Sequence, residues 1–176
     1  MKNKNRSKFI FPLLIFIIVS YFFVVRPIQR ITASGKALLS SAKEMKSVFA
    51  QNDISLLKSR MTSFSKQYKD FEKTSKTVYW LSFVPYISDF KSGVEAGDYL
   101  VKAGMDSIET IEPYADLIGF KKGESSFVEK TAEERLQTAV LTLDKLVQKV
   151  DPIADDINLA NEKISKINPN RYPKKI

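Results

Sequence analysis

Three aspartates within two helical turns, Asp151, Asp155 and Asp156, are the densest chemically capable set in this 176-residue sequence. Asp151 and Asp155 stand four residues apart, so on a helix they share a face. Paired carboxylates of this kind can hold a hard cation or divide acid and base work between them. Glu109, Glu112 and Asp116 form a second acidic set with the same option. Such residues more commonly form a solvated helix face, here with Asp151 capping the stretch after Pro152, and that is the use expected for both sets. The chain has no cysteine and no histidine. Zinc sites built on those ligands, Ser-His and Cys-His catalysis, and disulfides are thereby excluded. No segment resembles an EF-hand loop, a glycine-rich phosphate cradle or a nucleophile elbow. The expectation is a protein that is not an enzyme and takes no cofactor and no metal.

The element that must position everything else is the N-terminal run at 9–25, FIFPLLIFIIVSYFFVV, seventeen residues without a charge. At about 1.5 Å per residue it covers roughly 25 Å as a helix, the short end of what crosses a hydrocarbon core. Phe9, Leu13, Ile17, Phe22 and Val25 mark its length as the anchor, and Pro12 is expected in its first turn, where a missing N–H costs nothing. Lys2, Lys4, Arg6 and Lys8 precede it with no acid among them. That asymmetry favours a cytoplasmic N-terminus and places 26–176 outside. A cleaved signal would have a shorter apolar core, ~7–15 residues, ending at small residues. Here Arg26-Pro27 follows, and Ala33-Ser34-Gly35 lies well beyond, so an uncleaved single-pass anchor in the cell membrane is expected. A buried core helix is disfavoured because the run is apolar on every face.

The formal charge of +8 divides along the chain: +4 in the leader, +7 over 26–80, −6 over 81–170 and +3 from Arg171, Lys174 and Lys175. The basic and acidic halves are expected to complement one another inside one fold, which leaves no case for nucleic acid. The exterior part is long enough to bury one core without staples.

Beyond the anchor, apolar residues alternate at spacings of three and four, the mark of helices packed along a narrow seam. The first run reads Ile28, Ile31, Gly35, Leu38, Ala42, Met45, Phe49 and stops at Asn52-Asp53, with Asp53 as N-cap of the next. The second reads Ile54, Leu57, Met61, Phe64, Tyr68, Phe71, Ser75, Val78. So short a turn predicts an antiparallel hairpin. Pro85 breaks the period, and Ser88 or Asp89 is expected to cap a third run: Phe90, Val94, Gly97, Val101, Gly104, Ile108, Ile111. Gly97 and Gly104 each cost about 1 kcal/mol of helix propensity, so a neighbouring helix should approach closely there. Pro113 should end that run, and 119–130 reads as a polar connection. Thr131 and Glu134 form a capping-box pattern before the longest run: Leu136, Ala139, Leu143, Leu146, Val150, Ile153, Ile157, Ala160, Ile164, Ile167. It passes through Asp151-Pro152, as a kinked helix or two in line. No strand-like alternation occurs. The predicted class is all-α: one transmembrane helix, then an extracytoplasmic antiparallel bundle of four helical stretches over 26–170, with a basic tail at 171–176.

Connectivity returns the second helix towards the membrane, which sets Tyr79, Trp80, Phe83 and Tyr86 near the lipid surface. These aromatics suit the headgroup region, as an interfacial loop; a hydrophobic plug closing the bundle is the alternative and the more ordinary use. The tail cations Arg171, Lys174 and Lys175 are expected as a solvated linker end.

The order of features then has a family likeness. A basic leader, one membrane helix and a heptad hairpin precede Trp80 with Pro85-Tyr86-Ile87 and Asp89, then Ala96-Gly97 and Ala103-Gly104, then a Leu-rich helix ending in Asn168-Pro169-Asn170-Arg171-Tyr172-Pro173. This resembles the N-terminal region of the domain-of-unknown-function 4012 family, membrane-anchored bacterial surface proteins. The resemblance implies a surface location and a helical stalk. It implies no activity and carries over no catalytic residue. Members of that family continue into a larger exterior domain, so the chain is expected to be a fragment or a shortened member.

The functional expectation is a non-catalytic stalk or interaction module on the cell surface, whose partners are the lipid bilayer and either another protein or a second copy. A ligand-sensing ectodomain is the alternative, disfavoured because sensors ordinarily feed a cytoplasmic module through a second membrane helix.

Overall fold

The computed structural model of the chain describes residues 6–51, 53–115 and 131–173, and among them every regular element is a helix. Helix α1 spans Arg6–Ser20 and continues through a widened turn at Tyr21–Val25 into α2, Arg26–Phe49. Pro27 causes the widening. It cannot donate to the Phe23 carbonyl, and its ring crowds that carbonyl. The turn before it opens, and the Arg26 N–H bonds instead to the Tyr21 carbonyl five residues back. The helix is not broken, so an apolar rod and a packed helix form one piece. Pro12 lies inside α1 rather than in its first turn, because the helix begins upstream at Arg6.

Helix α3 spans Ile54–Ser75, and Asp53 caps it by accepting from the Leu56 N–H at 3.0 Å. A 3₁₀ segment, Lys76–Leu81, leads to α4, Pro85–Ile111. This start corrects the expected one. Pro85 opens α4 at its first position, where its fixed φ is already helical, and neither Ser88 nor Asp89 is a cap. A short 3₁₀ turn at Glu112–Tyr114 ends α4 as Pro113 predicts. Helix α5, Ala132–Ser165, opens on the Thr131/Glu134 capping box and runs unbroken through Pro152. Asp151 therefore caps nothing. The polar connection expected at 119–130 lies outside the described residues.

Successive helices run antiparallel, each against the next: α2 on α3, α3 on α4, α4 on α5. Helix α3 is covered on two sides, and all seven seam residues expected within it are buried or half-buried, Ser75 completely, as is Val78 in the 3₁₀ segment that follows. Fully burying a side chain such as Leu57 contributes about 2 kcal/mol. Close approach at the glycines is real. The Tyr68 ring lies across Gly97 and its hydroxyl donates to the Val94 carbonyl at 2.6 Å, while Met61 reaches over Gly104. Burial pushes the Tyr68 phenol well above its ordinary range. The opposite face of α4 is a seven-residue series, Asp89, Ala96, Ala103 and Thr110, all buried. Its small residues let α5 come close, with Ala160 at the contact 1 % exposed.

Helix α5 departs from the expected packing. Ile153, Ala160 and Ile167 are covered or half-covered, but Leu136, Leu143, Val150, Ile157 and Ile164 from the same seam are exposed. A helix at the end of a serpentine has one main neighbour, which covers only half of a two-sided stripe.

Candidate functional site

Neither acidic set assembles into a site. Asp156 turns inward, 3 % exposed, where the Lys102 ammonium lies 3.0 Å from its carboxylate; Asp151 and Asp155 stay exposed. Glu112, in the 3₁₀ turn after α4, pairs with Lys58 of α3 at 2.6 Å, Glu109 is exposed, and Asp116 lies outside the described residues. No group of three metal-capable side chains gathers among the described residues.

The expected complementarity of the basic and acidic halves is mostly absent. Among the described residues only Lys58–Glu112 joins them. Lys102–Asp156 and Glu95–Lys163, at 2.7 Å, lie within the acidic half, and Lys76–Glu72 lies within the basic one. Sequence-wide charge sums carry no information about which helix faces meet.

A built polar cluster occurs instead where α4 begins and α5 ends. Asp89 Oδ1 accepts from Arg171 Nη1 at 2.7 Å, and Asp89 Oδ2 accepts from the Tyr172 hydroxyl at 3.2 Å. The Tyr86 and Tyr172 rings meet edge to face, 6.0 Å between centroids. Asn168 forms the turn that delivers Arg171, its side chain accepting from the Asn170 N–H at 3.0 Å. Arg171 is therefore a clamp, not part of a solvated tail, and Lys174 and Lys175 lie outside the described residues. The motif halves at 80–89 and 168–173, far apart in sequence, meet in this corner. Sequence reasoning missed the pair by assigning Asp89 to a cap. The available signal was the seven-residue series: a carboxylate in line with Ala96 and Ala103 is buried, and a buried carboxylate needs a cation.

Burial alone would raise the Asp89 carboxyl, but the Arg171 hydrogen bond and charge, with the Tyr172 hydroxyl, hold it below the usual carboxylate range. A depressed folded-state value contributes stability that is present above the unfolded value and lost as pH falls through the folded one. The clamp is thus expected to be closed at neutral pH and through the ordinary carboxylate range, and to open only at more acid pH. Protection of the Asn170 and Arg171 amides, taken relative to the intrinsic exchange rate at each pH, should fall on acidification, and Asp89→Asn should remove that pH dependence. Equal acid sensitivity in that variant would contradict the assignment.

The aromatic segment divides. Val78 is 2 % exposed and fills the end of the core, whereas Trp80, Phe83 and Tyr86 are exposed. Tyr79 is half-buried, and burial, then Glu95 and Glu72, push its phenol up to about 12. Trp80 stands opposite Phe16, Val19 and Phe23 of the N-terminal helix. Leu13, Ile17, Phe22 and Val25 are exposed; Phe9 lies in α1, its side chain outside the described residues. The helix through Phe11–Phe49 is long and apolar enough to cross a membrane, and its most apolar window is unburied.

Comparison of the chain with protein-family models, curated proteins and solved structures gives no match.

Proposed function

We propose that this chain is a single-pass membrane protein, N-terminus cytoplasmic, whose exterior helices form a non-catalytic stalk that pairs with a second copy. The observation that carries the anchor is the largely exposed apolar rod continuous with α2, since so much uncovered Phe, Leu and Ile needs lipid around it. The leader cations support the orientation. The exposed Trp80, which lies beside Phe16–Val24 of that rod, and the exposed Phe83 support a loop that dips into the lipid surface. The resemblance to the domain-of-unknown-function 4012 family belongs to the same proposal and rests on the Trp80–Asp89 motif.

Pairing is supported by α5. Leu136, Val140, Leu143, Val147 and Val150 form an exposed stripe at spacings of four and three, Leu136 and Val147 being 67 % and 66 % uncovered. β-Branched residues alternating with leucine favour two parallel strands, and Asn161 continues the Val140–Val147 position as a register-setting polar residue. Two copies anchored in one membrane present α5 in the same direction, as parallel pairing requires.

Protease added to intact cells should digest 26–176 while the leader is protected; an untouched body would refute the orientation. Crosslinking of the full chain in mild detergent should trap a dimer that Leu143→Lys with Val147→Lys reduces to monomer. A dimer unaffected by that double change would remove α5 as the pairing surface.

A further inference from the structure

Two hollows follow one another beside the N-terminal helix where it leaves its apolar section, their linings one helical turn apart at Phe23 and Pro27 and about one turn apart at Trp80 and Thr77. Phe16, Val19, Phe23, Pro27 and Arg30 succeed one another along one side of that helix, and Trp80, Thr77 and Lys73 run the opposite way along the other wall. The lower part, between Phe16, Val19, Phe23 and Trp80, has a volume of about 630 Å³ and is apolar apart from Ser20. The upper part, about 330 Å³, is lined by Arg26, Arg30 and Lys73 together with Phe22, Pro27, Thr74 and Thr77. These three cations make no ion pair among the described residues; Arg26 rests over the Phe22 ring at 5.7 Å.

We infer that the two hollows together bind one anionic glycerophospholipid of the outer leaflet, its acyl chain between Trp80 and Phe16–Phe23 and its phosphodiester on Arg26, Arg30 and Lys73. The inference rests on the membrane-anchor reading above. Three observations select this occupant. The ten residues from Phe16 to Arg26 rise roughly 15 Å, the hydrocarbon depth of one leaflet. Apolar and cationic sections then follow in the order that acyl chain and phosphate follow in a lipid. Arginine forks match phosphate oxygens bidentately, and a zwitterionic lipid would bring its own cation to a site already holding three. The threonines refine the choice. Thr74 Oγ1 donates to the Asp70 carbonyl at 2.8 Å and Thr77 Oγ1 to the Thr74 carbonyl at 2.6 Å. Both hydroxyls have spent their protons and can only accept. A headgroup carrying hydroxyl donors, as in phosphatidylglycerol, satisfies them; a headgroup with only acceptors does not.

The test uses the full chain reconstituted in vesicles of phosphatidylcholine, with or without phosphatidylglycerol, and in phosphatidylcholine vesicles with inorganic phosphate added. Wild-type protein should show a higher melting temperature with phosphatidylglycerol and no change with inorganic phosphate. In lipid competition, Arg26→Gln/Arg30→Gln/Lys73→Gln should weaken the phosphatidylglycerol preference by about 10- to 100-fold, each cation near an anionic headgroup adding about fivefold. Trp80→Ala should lose retention of a spin-labelled phosphatidylglycerol acyl chain while keeping part of the charge preference. An equal response to inorganic phosphate would identify a free-anion site and overturn the lipid. A triple variant that keeps the full preference would overturn the residues named. Alkaline carbonate extraction separates the two levels: a protein that stays in the membrane yet shows no preference refutes this inference alone, whereas one that is extracted refutes the anchor and the lipid site together.

Discussion

Gly97→Ala is expected to lower the melting temperature of the helical part by about 10 °C. A Cβ at position 97 would overlap the Tyr68 hydroxyl and stand 2.6 Å from Cζ and 3.0 Å from Cε2 of the same ring. Tyr68 is 6 % exposed and pinned by its hydrogen bond to the Val94 carbonyl, so the ring has no free space to swing into. Overpacking of this kind costs about 1–3 kcal/mol, and pushing the hydroxyl off its acceptor adds about 1–3 kcal/mol for the buried group left unpaired. Alanine recovers about 1 kcal/mol of helix propensity, which leaves a net loss of about 3 kcal/mol. At about 2–4 °C per kcal/mol for a chain of this size, the shift is readily measured by circular dichroism. Gly104→Ala is the control. Its Cβ would meet only the terminal methyl of Met61 at 2.8 Å, the free end of a flexible side chain, so the propensity gain should offset most of the strain. Equal melting temperatures for the two variants would mean that α3 and α4 do not approach as described.

The second large effect concerns the membrane. Leu14→Arg with Ile17→Arg places two cations near the centre of the apolar rod, at positions exposed on the helix surface. Each costs about 2.5–3.5 kcal/mol of insertion free energy at that depth, together about 6 kcal/mol. The double variant should move from the carbonate-resistant to the soluble or aggregated fraction. Leu39→Arg, on an equally exposed part of α2 beyond the hollows, should leave the membrane fraction unchanged. Retention of the double variant in the bilayer would show that the rod is held by something other than lipid.

The two variants probe one continuous object. Because Pro27 widens the helix without breaking it, the rod transmits its tilt to α2, and α2 is packed against α3 and through it to α4. Any lipid held between Trp80 and Phe16 would brace the joint between rod and hairpin, the place where an unbraced single helix would swing most freely.

Residues that interact with their own neighbours in the chain were legible in the sequence. The uncharged run at 9–25, the Asp53 cap and the Thr131/Glu134 capping box depend on nothing further away than one helical turn. The α3 seam was equally readable, because a helix covered on two sides buries whatever its apolar stripe offers. Gly97 and Gly104 announced close contact by their propensity cost, though not that one would face a rigid ring and the other a flexible thioether.

Tertiary structure alone decided the rest. Periodicity marks which face of α5 is apolar but not how many helices are present to cover it, so Leu136, Leu143 and Val150 read as core and stand open. Ion pairing between Asp89 and Arg171, or Lys102 and Asp156, joins positions more than fifty residues apart, and composition cannot choose among the available cations. The same holds for the two hollows: Lys73 comes beside Arg26 and Arg30, and Trp80 beside Phe16 and Phe23, only because the chain after α2 folds back along the N-terminal helix. Local physics writes each helix and its caps into the chain; which faces meet, and which charges stay unpaired, is settled by packing.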